Sequence, residues 1–159
     1  MTFPPRVKIQ LIRSGAKLPE YKTAGAAGAD LYLPEFSSVR LQHGDTAVIP
    51  LGFKMELSEG YEAQIRPRSS WSRAGVHVAF GTIDSDYRGE VGLVVHRLYL
   101  PPFDGFSIRD NDEVLFKAKA GDRVGQMIIA PVTQALFIEV ESDLSQTERG
   151  EGGFGSTGK

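Results

Sequence analysis

Cysteine is absent from this chain of 159 residues, and histidine occurs only three times. The absence of cysteine excludes disulfide bonds, thiolate metal sites and a cysteine nucleophile. Three histidines scattered along the sequence also argue against a histidine-rich metal centre. Any bound metal is therefore expected to take oxygen ligands.

Long apolar runs and a strong charge of either sign are missing as well. No segment approaches the roughly 20 apolar residues that a membrane-spanning helix needs, and residues 1–6 lack the pattern of a secretory signal. The formal net charge of −2 gives no general attraction for nucleic acid. We therefore expect an intracellular, cytoplasmic protein, in the host cell if its source is a virus, that binds neither membranes nor nucleic acid.

Eighteen glycines and nine prolines interrupt the chain too often for helices of ordinary length. One short helix is predicted at 69–74, with a serine cap at its start and Gly75 at its end. About ten short strands indicate an all-β fold, a sandwich or jelly-roll barrel. Alternation predicts strands at 7–11, 53–57, 61–66 and 137–141, and more continuous apolar runs predict strands covered on both faces at 46–50, 90–100 and 123–132.

The length of the chain corresponds to one domain. We expect the folded body to span 1–141, with an extended loop or hairpin insertion at 98–119. A polar, glycine-rich arm is expected at 142–159, because its composition favours neither a strand nor a helix.

Two segments have the chemistry to hold phosphate. Arginines and serines crowd the start of the predicted helix in 66–73, where backbone amides and the helix dipole favour an anion. Glycines surround Arg149 and Phe154 in the tail, so this arm can close over a ligand while the arginine contacts phosphate and the ring stacks on a base. Taken singly, the first segment can also be a solvated, charged strand end and the second a frayed terminus.

Three further segments place polar side chains at turns or in a strand. Beside bound phosphates, the carboxylate of Asp84 can orient and deprotonate an attacking water, and its position after Ile83 predicts that it is buried. Asp30 lies among small residues, where a metal or backbone can approach closely. Gln126 is a polar exception in an apolar strand. Each also has an ordinary structural explanation as a turn acid or a buried amide.

Taken together and in this order, the five segments resemble the five motifs of the trimeric deoxyuridine triphosphate nucleotidohydrolases, the dUTPases. One segment alone is weak evidence, but five in register across nearly the entire chain are highly specific. The matching segments are Ala-Gly-Ala-Asp-Leu at 27–31, Pro-Arg-Ser-Ser at 67–70, Gly-Thr-Ile-Asp-Ser-Asp-Tyr-Arg-Gly at 81–89, Gly-Asp-Arg-Val-Gly-Gln at 121–126, and the arm from 149 to 158.

The resemblance implies a distorted jelly roll that forms a homotrimer, with each active site built from three chains and closed by the arm. It implies hydrolysis of dUTP to dUMP and pyrophosphate, which keeps uracil out of DNA and supplies dUMP for thymidylate synthesis. Mg²⁺ is expected to be held mainly by the triphosphate, with Asp30 contacting it through water. Asp84 matches the general base that aligns a water for in-line attack on the α-phosphorus.

The same resemblance implies the remaining substrate contacts. Tyr87 matches the residue that packs beneath the deoxyribose and leaves no room for a 2′-hydroxyl. The main chain of Gly81, Thr82 and Ile83 and of the strand near Gly92 is expected to bind uracil. The implied contacts to phosphate are Arg68, Ser69 and Ser70 at the helix start, Gln126 at the α-phosphate, and Arg149, Ser156 and Thr157 in the arm, where Phe154, followed by Gly155, stacks on uracil.

The sequence departs from the family pattern at three places, and two alternatives stay open. Ser70 stands where most members have glycine, Val78 where bacterial members often have asparagine, and 98–119 is longer than in compact members. One alternative is the dCTP deaminase branch, which shares the fold and often has Arg-Ser-Ser in the second motif. The other is a nucleotide-binding regulatory trimer that uses 98–119 to bind a protein partner.

Overall fold

The computed structural model describes residues 4–98 and 116–153. Within these residues the chain forms eleven short strands and one helix of five residues. In chain order these are β1 (Val7–Leu11), β2 (Ala29–Tyr32), β3 (Ser38–Leu41), β4 (Thr46–Pro50), β5 (Phe53–Leu57), β6 (Tyr61–Arg66), α1 (Ser69–Arg73), β7 (Val76–Val78), β8 (Gly81–Ile83), β9 (Gly92–Arg97), β10 (Phe116–Lys119) and β11 (Arg123–Pro131).

The strands form four antiparallel sheets. The largest has the order β2-β11-β6-β8, and a three-stranded sheet has the order β4-β9-β7. Two further pairs, β1 with β5 and β3 with β10, complete the described part of the fold. The register of β11 shifts between Arg123 and Gly125, where it pairs with β2.

All four sheets contribute side chains to one apolar core. In several strands alternation places every second side chain inside, as in β5, where Phe53, Met55 and Leu57 are buried and the two residues between them are not. The buried members are Leu31, Leu33, Val39, Leu41, Ile49, Leu51, Phe53, Met55, Leu57, Ala63, Ile65, Trp71, Val76, Val78, Val91, Leu93, Val95, Ala118, Val124 and Met127.

The prediction of an all-β fold is confirmed, and the strands predicted at 7–11, 53–57 and 61–66 have the bounds that the alternation indicated. The predicted strand at 137–141 is wrong. These residues form no strand, and the side chain of Phe137 is 91% exposed. A strand needs a neighbour to pair its backbone groups, and this segment has no paired strand beside it within the described residues.

The strands predicted at 46–50 and 90–100 are also present, the second as Gly92–Arg97, but the prediction that both faces of each are covered is wrong. On the outer face of the β4-β9-β7 sheet, Val48 is 68% exposed and its cross-strand partner Val94 is 39% exposed. No other layer of the described chain covers this face. The apolar composition of β4 therefore exceeds the burial that one chain provides.

The helix α1 lies where the sequence predicted it, but its start differs. Arg68 is the N-cap and makes no side-chain cap hydrogen bond, so the predicted serine cap is wrong. Trp71 is buried and anchors the helix to the core. The predicted end at Gly75 is confirmed, because this residue has a φ of 70°, which glycine adopts without strain.

The end of the predicted insertion 98–119 is a strand. Residues 116–119 form β10 and pair with β3, which places Ala118 in the core. Residues 99–115 of this insertion lie outside the described residues. No helix in the described part of the chain is long and apolar enough to cross a membrane.

Candidate active site

Three neighbouring strands of the largest sheet place residues from distant parts of the sequence opposite one another. Gln126 on β11 is the Cα partner of Asp30 on β2 and also of Arg66 on β6. Pro67 and Arg68 follow β6 directly and lead into α1. Three of the five motif-like segments, the first, second and fourth, therefore meet in one place.

Asp30 lies between two arginines. Arg123 donates a hydrogen bond from Nη1 to Oδ2 over 3.0 Å, and Arg68 Nε lies 3.6 Å from Oδ1. The side chain of Asp30 is only 14% exposed, and Arg68 also donates from Nη1 to the carbonyl oxygen of Arg123 over 3.3 Å. One carboxylate thus orients two guanidinium groups and neutralises only one of their charges, which leaves a positive charge for an anion. Arg123 lies in the fourth segment, but its residue type and position alone did not predict this role.

Gln126 is held by a close fit beside this ion pair. Its Nε2 donates to the carbonyl oxygen of Pro67 over 3.1 Å. The backbone of Gly28 passes so near that a Cβ there would lie 2.5 Å from Gln126 Oε1. Glycine at position 28 therefore provides the space in which this amide is oriented.

An open hollow of about 730 Å³ lies beside these groups. Arginine and lysine side chains outnumber carboxylates along its walls, and the hydroxyl of Ser70 adds a polar donor at the helix start. This composition suits a ligand with several negative charges. The lining residues are Lys22, Tyr32, Arg68, Ser70, Trp71, Lys117, Ala118, Gly121, Asp122 and Arg123.

The third segment, which carries Asp84, occupies the edge of the same sheet. β8 pairs with β6 so that Ile83 lies opposite Ala63, and Asp84 follows at the strand end. The backbone N–H of Tyr87 donates to the carbonyl oxygen of Asp84 over 3.1 Å. The Tyr87 hydroxyl donates to the carbonyl oxygen of Glu90, also over 3.1 Å. Asp84 is exposed, so the prediction that it is buried is wrong for a single chain. The end of an edge strand has a neighbour on one side only.

Glu90 fixes the base of this turn, a role that the sequence analysis missed. Arg13 donates two hydrogen bonds to its carboxylate, the longer from Nη2 to Oε2 over 2.7 Å, and the N–H of Gly52 donates to Oε1 over 3.1 Å. The hydrogen bond from Arg13 holds the pKa of Glu90 below its ordinary value, against the opposing effect of burial. Arg13 lies 77 residues away in the sequence, so no local pattern marks this pair.

The segments expected to bind uracil lie on two different sheets. Gly81, Thr82 and Ile83 form the edge strand β8, and the first two are exposed. Gly92 begins β9 beside β4, where a Cβ would lie 3.2 Å from the carbonyl oxygen of Ile49. Glycine is needed at position 92 because the neighbouring backbone leaves little room for a side chain.

Asp84 and Gln126 are far apart within one chain. Ile83 is the cross-strand partner of Ala63, and Gln126 is the cross-strand partner of Arg66. Ala63 and Arg66 are three residues apart along β6. With about 3.3 Å per residue and about 4.8 Å between strands, two strand spacings separate Ile83 from Gln126 by roughly 14 Å, and Asp84 lies one residue further away. The fold therefore gathers the phosphate-binding candidates but keeps the candidate base of the same chain away from them.

The arm is described as far as residue 153. Arg149 donates from Nε to the carbonyl oxygen of Gly152 over 2.8 Å, and the N–H of Gly150 donates to the carbonyl oxygen of Thr147 over 3.1 Å. These local bonds form a turn that leaves Arg149 exposed. Four of the predicted site residues lie outside the described residues: Phe154, Gly155, Ser156 and Thr157.

The structure is that of an all-β protein with a hollow lined by arginine and lysine side chains, whose charge suits a polyanion. The edge strand of the same sheet leads into a turn that presents a carboxylate and a tyrosine. Comparison with known proteins gives the family. A family model described as dUTPase matches residues 14–158.

Curated relatives and solved structures agree with this match. The deoxyuridine 5'-triphosphate nucleotidohydrolase of Beijerinckia indica subsp. indica is 44% identical over 162 residues, covering 98% of this chain and 92% of that protein. The corresponding protein of Chlamydia pneumoniae is 43% identical, covering 91% and 93%. A dUTPase mutant of Staphylococcus bacteriophage 80alpha, solved with dUpNHpp, has a TM-score of 0.79 and 27% identity, covering 97% of this chain and 99% of that one. The chain belongs to the dUTPase family.

Proposed function

We propose that this chain hydrolyses dUTP to dUMP and pyrophosphate, as a dUTP diphosphatase. The observation that carries the proposal is the Asp30, Arg68 and Arg123 cluster beside Gln126, at the edge of a cation-lined hollow. The reaction removes dUTP before uracil enters DNA and supplies dUMP for thymidylate synthesis. Because nucleoside triphosphates are intracellular, we propose that the enzyme acts in the cytoplasm.

The phosphate end of the substrate is assigned to the cluster on β2, β6 and β11. The guanidinium of Arg68 is oriented by Asp30, and Ser69 and Ser70 expose their hydroxyls at the helix start. Gln126 contacts the α-phosphate region. Together these donors offset the charge that develops as pyrophosphate leaves.

Asp84 is assigned as the general base. Its carboxylate accepts a proton from a water whose oxygen attacks the α-phosphorus, and the bond from that phosphorus to the bridging oxygen of the β-phosphate breaks. The products are dUMP and pyrophosphate. General-base catalysis of this kind contributes roughly 10²–10⁴ in rate.

The base and sugar are assigned to the hairpin around β8. The main chain of Gly81, Thr82 and Ile83 and of Gly92 binds uracil, in a slot too tight for the methyl group of thymine. The ring of Tyr87 packs beneath the deoxyribose. Its hydroxyl is bonded to the backbone, which fixes the ring where a 2′-hydroxyl would clash.

Magnesium is the proposed cofactor, carried mainly by the triphosphate. The dUTPase of phage phi11 of S. aureus coordinates a structural Mg(II) ion. Within the described residues of this chain, no group of three His, Cys, Asp or Glu side chains is placed to hold a metal. Asp30 already faces two arginines, so its carboxylate suits contact through water better than direct ligation. When bound, Mg²⁺ neutralises the phosphates and makes attack by water easier.

We propose that the enzyme is a homotrimer with shared active sites. The separation of about 14 Å between Ile83 and Gln126 means that Asp84 and Gln126 of one chain do not reach the same α-phosphate. The exposed segment that contains Phe137 and Ile138 has the alternation of a strand without a partner. A groove of about 340 Å³ beside β1 suits such an apolar strand from another copy, and it is lined by Val7, Ile9, Leu18, Pro19, Tyr21, Ala29, Met127 and Ile129.

The arm is proposed to close over the site of another chain. Arg149 is exposed and carries a charge for the γ-phosphate, while Phe154 stacks on uracil. Gly155 provides flexibility, and Ser156 and Thr157 contact the terminal phosphates. Closure of a glycine-rich segment excludes water other than the attacking one.

The test is to incubate the purified protein with Mg²⁺ and, separately, dUTP, dCTP, dTTP and UTP, and to identify the products by phosphorus NMR and chromatography. We expect dUMP and pyrophosphate from dUTP alone. Ammonia or dUTP formed from dCTP would instead place the chain with the dCTP deaminases, and no reaction would favour a nucleotide-binding regulatory protein that contacts a partner through 98–119.

The Asp84→Asn variant separates catalysis from binding. It keeps the shape of the side chain but cannot accept the proton, so we expect turnover to fall by roughly 10²–10⁴ while the affinity for a non-hydrolysable dUTP analogue is retained. Calorimetry with the analogue measures the affinity. Equal losses of affinity and turnover would contradict the assignment of Asp84 as the base.

A further inference from the structure

Two of the three histidines lie opposite each other on neighbouring strands. His77 on β7 and His96 on β9 are Cα partners in the antiparallel register. The residues on either side of His77 are buried, as are both neighbours of His96, so the two imidazoles share the outer face of the sheet. His77 is exposed and His96 is half-buried.

The spacing of this pair suits two ligands on one ion. The N–H of Ala79 donates to the carbonyl oxygen of Val94 over 2.8 Å, so Ala79 and Val94 form a hydrogen-bonded pair of the antiparallel ladder. Such pairs recur at every second position, and His77 with His96 is the next pair of this kind. Their Cα atoms are then about 5.5 Å apart, with Cβ atoms at a similar spacing. Two imidazole rings that project from such positions can converge on one ion at the usual nitrogen–metal distance of about 2.1 Å.

Thr46 orients the His96 ring from the other side. It is the Cα partner of His96 on β4, and its Oγ1 lies 2.8 Å from His96 Nδ1. When Nδ1–H donates to this hydroxyl oxygen, the lone pair of the ring is on Nε2. Metal-binding histidines commonly have their second nitrogen bonded in this way, which fixes both the tautomer and the ring orientation.

We propose that His77 and His96 form a binding site for a late first-row transition-metal ion such as Cu²⁺, Ni²⁺ or Zn²⁺, in contrast to the expectation of oxygen ligands, because the register brings two histidines together that are 19 residues apart in the sequence. Imidazole nitrogens favour these ions, whereas Mg²⁺ favours oxygen ligands, so the site is chemically distinct from the magnesium of the triphosphate. Within the described residues no third side chain completes a cluster, and water fills the other positions. The site therefore holds one ion per chain through two protein ligands.

The ion would join β7 to β9, the two strands on either side of the segment 79–91. This segment carries Asp84 and Tyr87. A bond between the two strands stabilises the folded state, because the unfolded chain does not hold both imidazoles at this spacing. Ion binding is therefore expected to raise the melting temperature without supplying any group to the reaction.

The test uses the full chain after treatment with a chelator. Ni²⁺, Cu²⁺ and Zn²⁺ are titrated separately by calorimetry in a buffer that contains Mg²⁺, and thermal unfolding is measured with and without each ion. We expect one ion per chain and a higher melting temperature. His77→Ala, at an exposed position, should weaken binding at least about tenfold and abolish the thermal effect, since one of two ligands is lost.

Two further variants separate this site from other sources of metal binding. His43→Ala removes the remaining histidine, on the turn before β4, and should leave affinity and stoichiometry unchanged. Thr46→Val removes the hydroxyl that orients His96 and should weaken binding about tenfold. Wild-type affinity in His77→Ala, loss of binding in His43→Ala, or one ion per three chains would each overturn the proposal.

Discussion

The distance between Asp84 and the proposed phosphate-binding cluster leads to a test by subunit mixing. Asp84→Asn removes the proposed base, and Arg68→Gln removes a proposed phosphate ligand while Arg123 stays paired with Asp30. Each variant alone should be nearly inactive. If a site takes Asp84 from one chain and Arg68 from another, a mixed trimer contains some sites in which both groups are native.

The expected recovery follows from counting sites. In a cyclic trimer formed from equal amounts of the two variants, the chain that supplies position 84 is native there with probability one half, and the same holds independently for the chain that supplies position 68. About one quarter of the sites therefore have both groups, and activity should rise to about 25% of wild type per site. Each variant alone retains about 1% or less, since loss of a general base or of one preorganised donor costs at least about 10² in rate.

The assay measures pyrophosphate release after the two variants are unfolded and refolded together, with native mass spectrometry to verify that mixed trimers form. A matched control mixes Asp84→Asn with the double variant Asp84→Asn/Arg68→Gln, in which no site has a native base. The control should stay inactive. Mixed trimers of the two single variants without recovered activity would refute the reasoning, because Asp84 and Arg68 would then serve one site within a chain.

Three substitutions test the local geometry. Gly89→Ala places a Cβ 2.2 Å from the Tyr87 hydroxyl, so the ring must move, and the preference for dUTP over UTP, measured as the ratio of kcat/KM values, should fall at least about tenfold. Gly28→Ala forces the Gln126 amide away and should lower turnover strongly while costing only about 1 kcal/mol of stability, the value of one hydrogen bond. Glu90→Gln should lower the melting temperature at pH 7. The lowered pKa of Glu90 in the folded state means that its carboxylate stabilises the wild type above the ordinary glutamate pKa. This contribution is lost as the pH falls through the folded-state pKa, so the wild type should lose more stability at acid pH than the variant.

Gly25→Ala is the control for the two glycine substitutions, and the wild type is the reference for Glu90→Gln. Gly25→Ala introduces the same methyl group where a Cβ meets nothing within 4 Å, and should leave turnover and nucleotide preference unchanged. An unaltered dUTP preference in Gly89→Ala would show that Tyr87 does not exclude the 2′-hydroxyl. Turnover of Gly28→Ala equal to that of Gly25→Ala would contradict the role of Gln126. If the stability of wild type and of Glu90→Gln falls in parallel as the pH is lowered, the Glu90 carboxylate does not cause the loss of stability in acid.

Short-range patterns predicted the elements of the fold but not their pairing. Alternation located β1, β5 and β6 because apolar and polar residues alternate along each, with one face buried in β5 and β6 and half-buried at Val7 and Ile9 in β1. The order β2-β11-β6-β8 depends on contacts between residues far apart in the sequence. The periodicity of apolar residues within a strand does not reveal such contacts. β10 was missed because its core residue Ala118 stands between two lysines, and this composition resembles a charged turn.

For the site, the order of the five segments selected the candidate residues, and the role proposed for each follows from its residue type. The contacts that hold these residues were not readable. The Asp30–Arg123 bond joins residues 93 apart and the Arg13–Glu90 pair residues 77 apart. A single sequence shows that the charges exist but not which of them meet.

The wrong predictions of burial have the same direction. Asp84, the segment at 137–141 and the outer face of β4 were all expected to be covered, and all are exposed in the single chain. Covering a side chain such as Phe137 or Ile138 is worth roughly 1.5–3 kcal/mol, so a sequence selected to function alone would not keep several such groups in water. We infer that the apolar residues of 137–141 are buried in the assembled protein. Other copies would then supply the cover for 137–141 and bring the phosphate-binding cluster of a neighbour to Asp84.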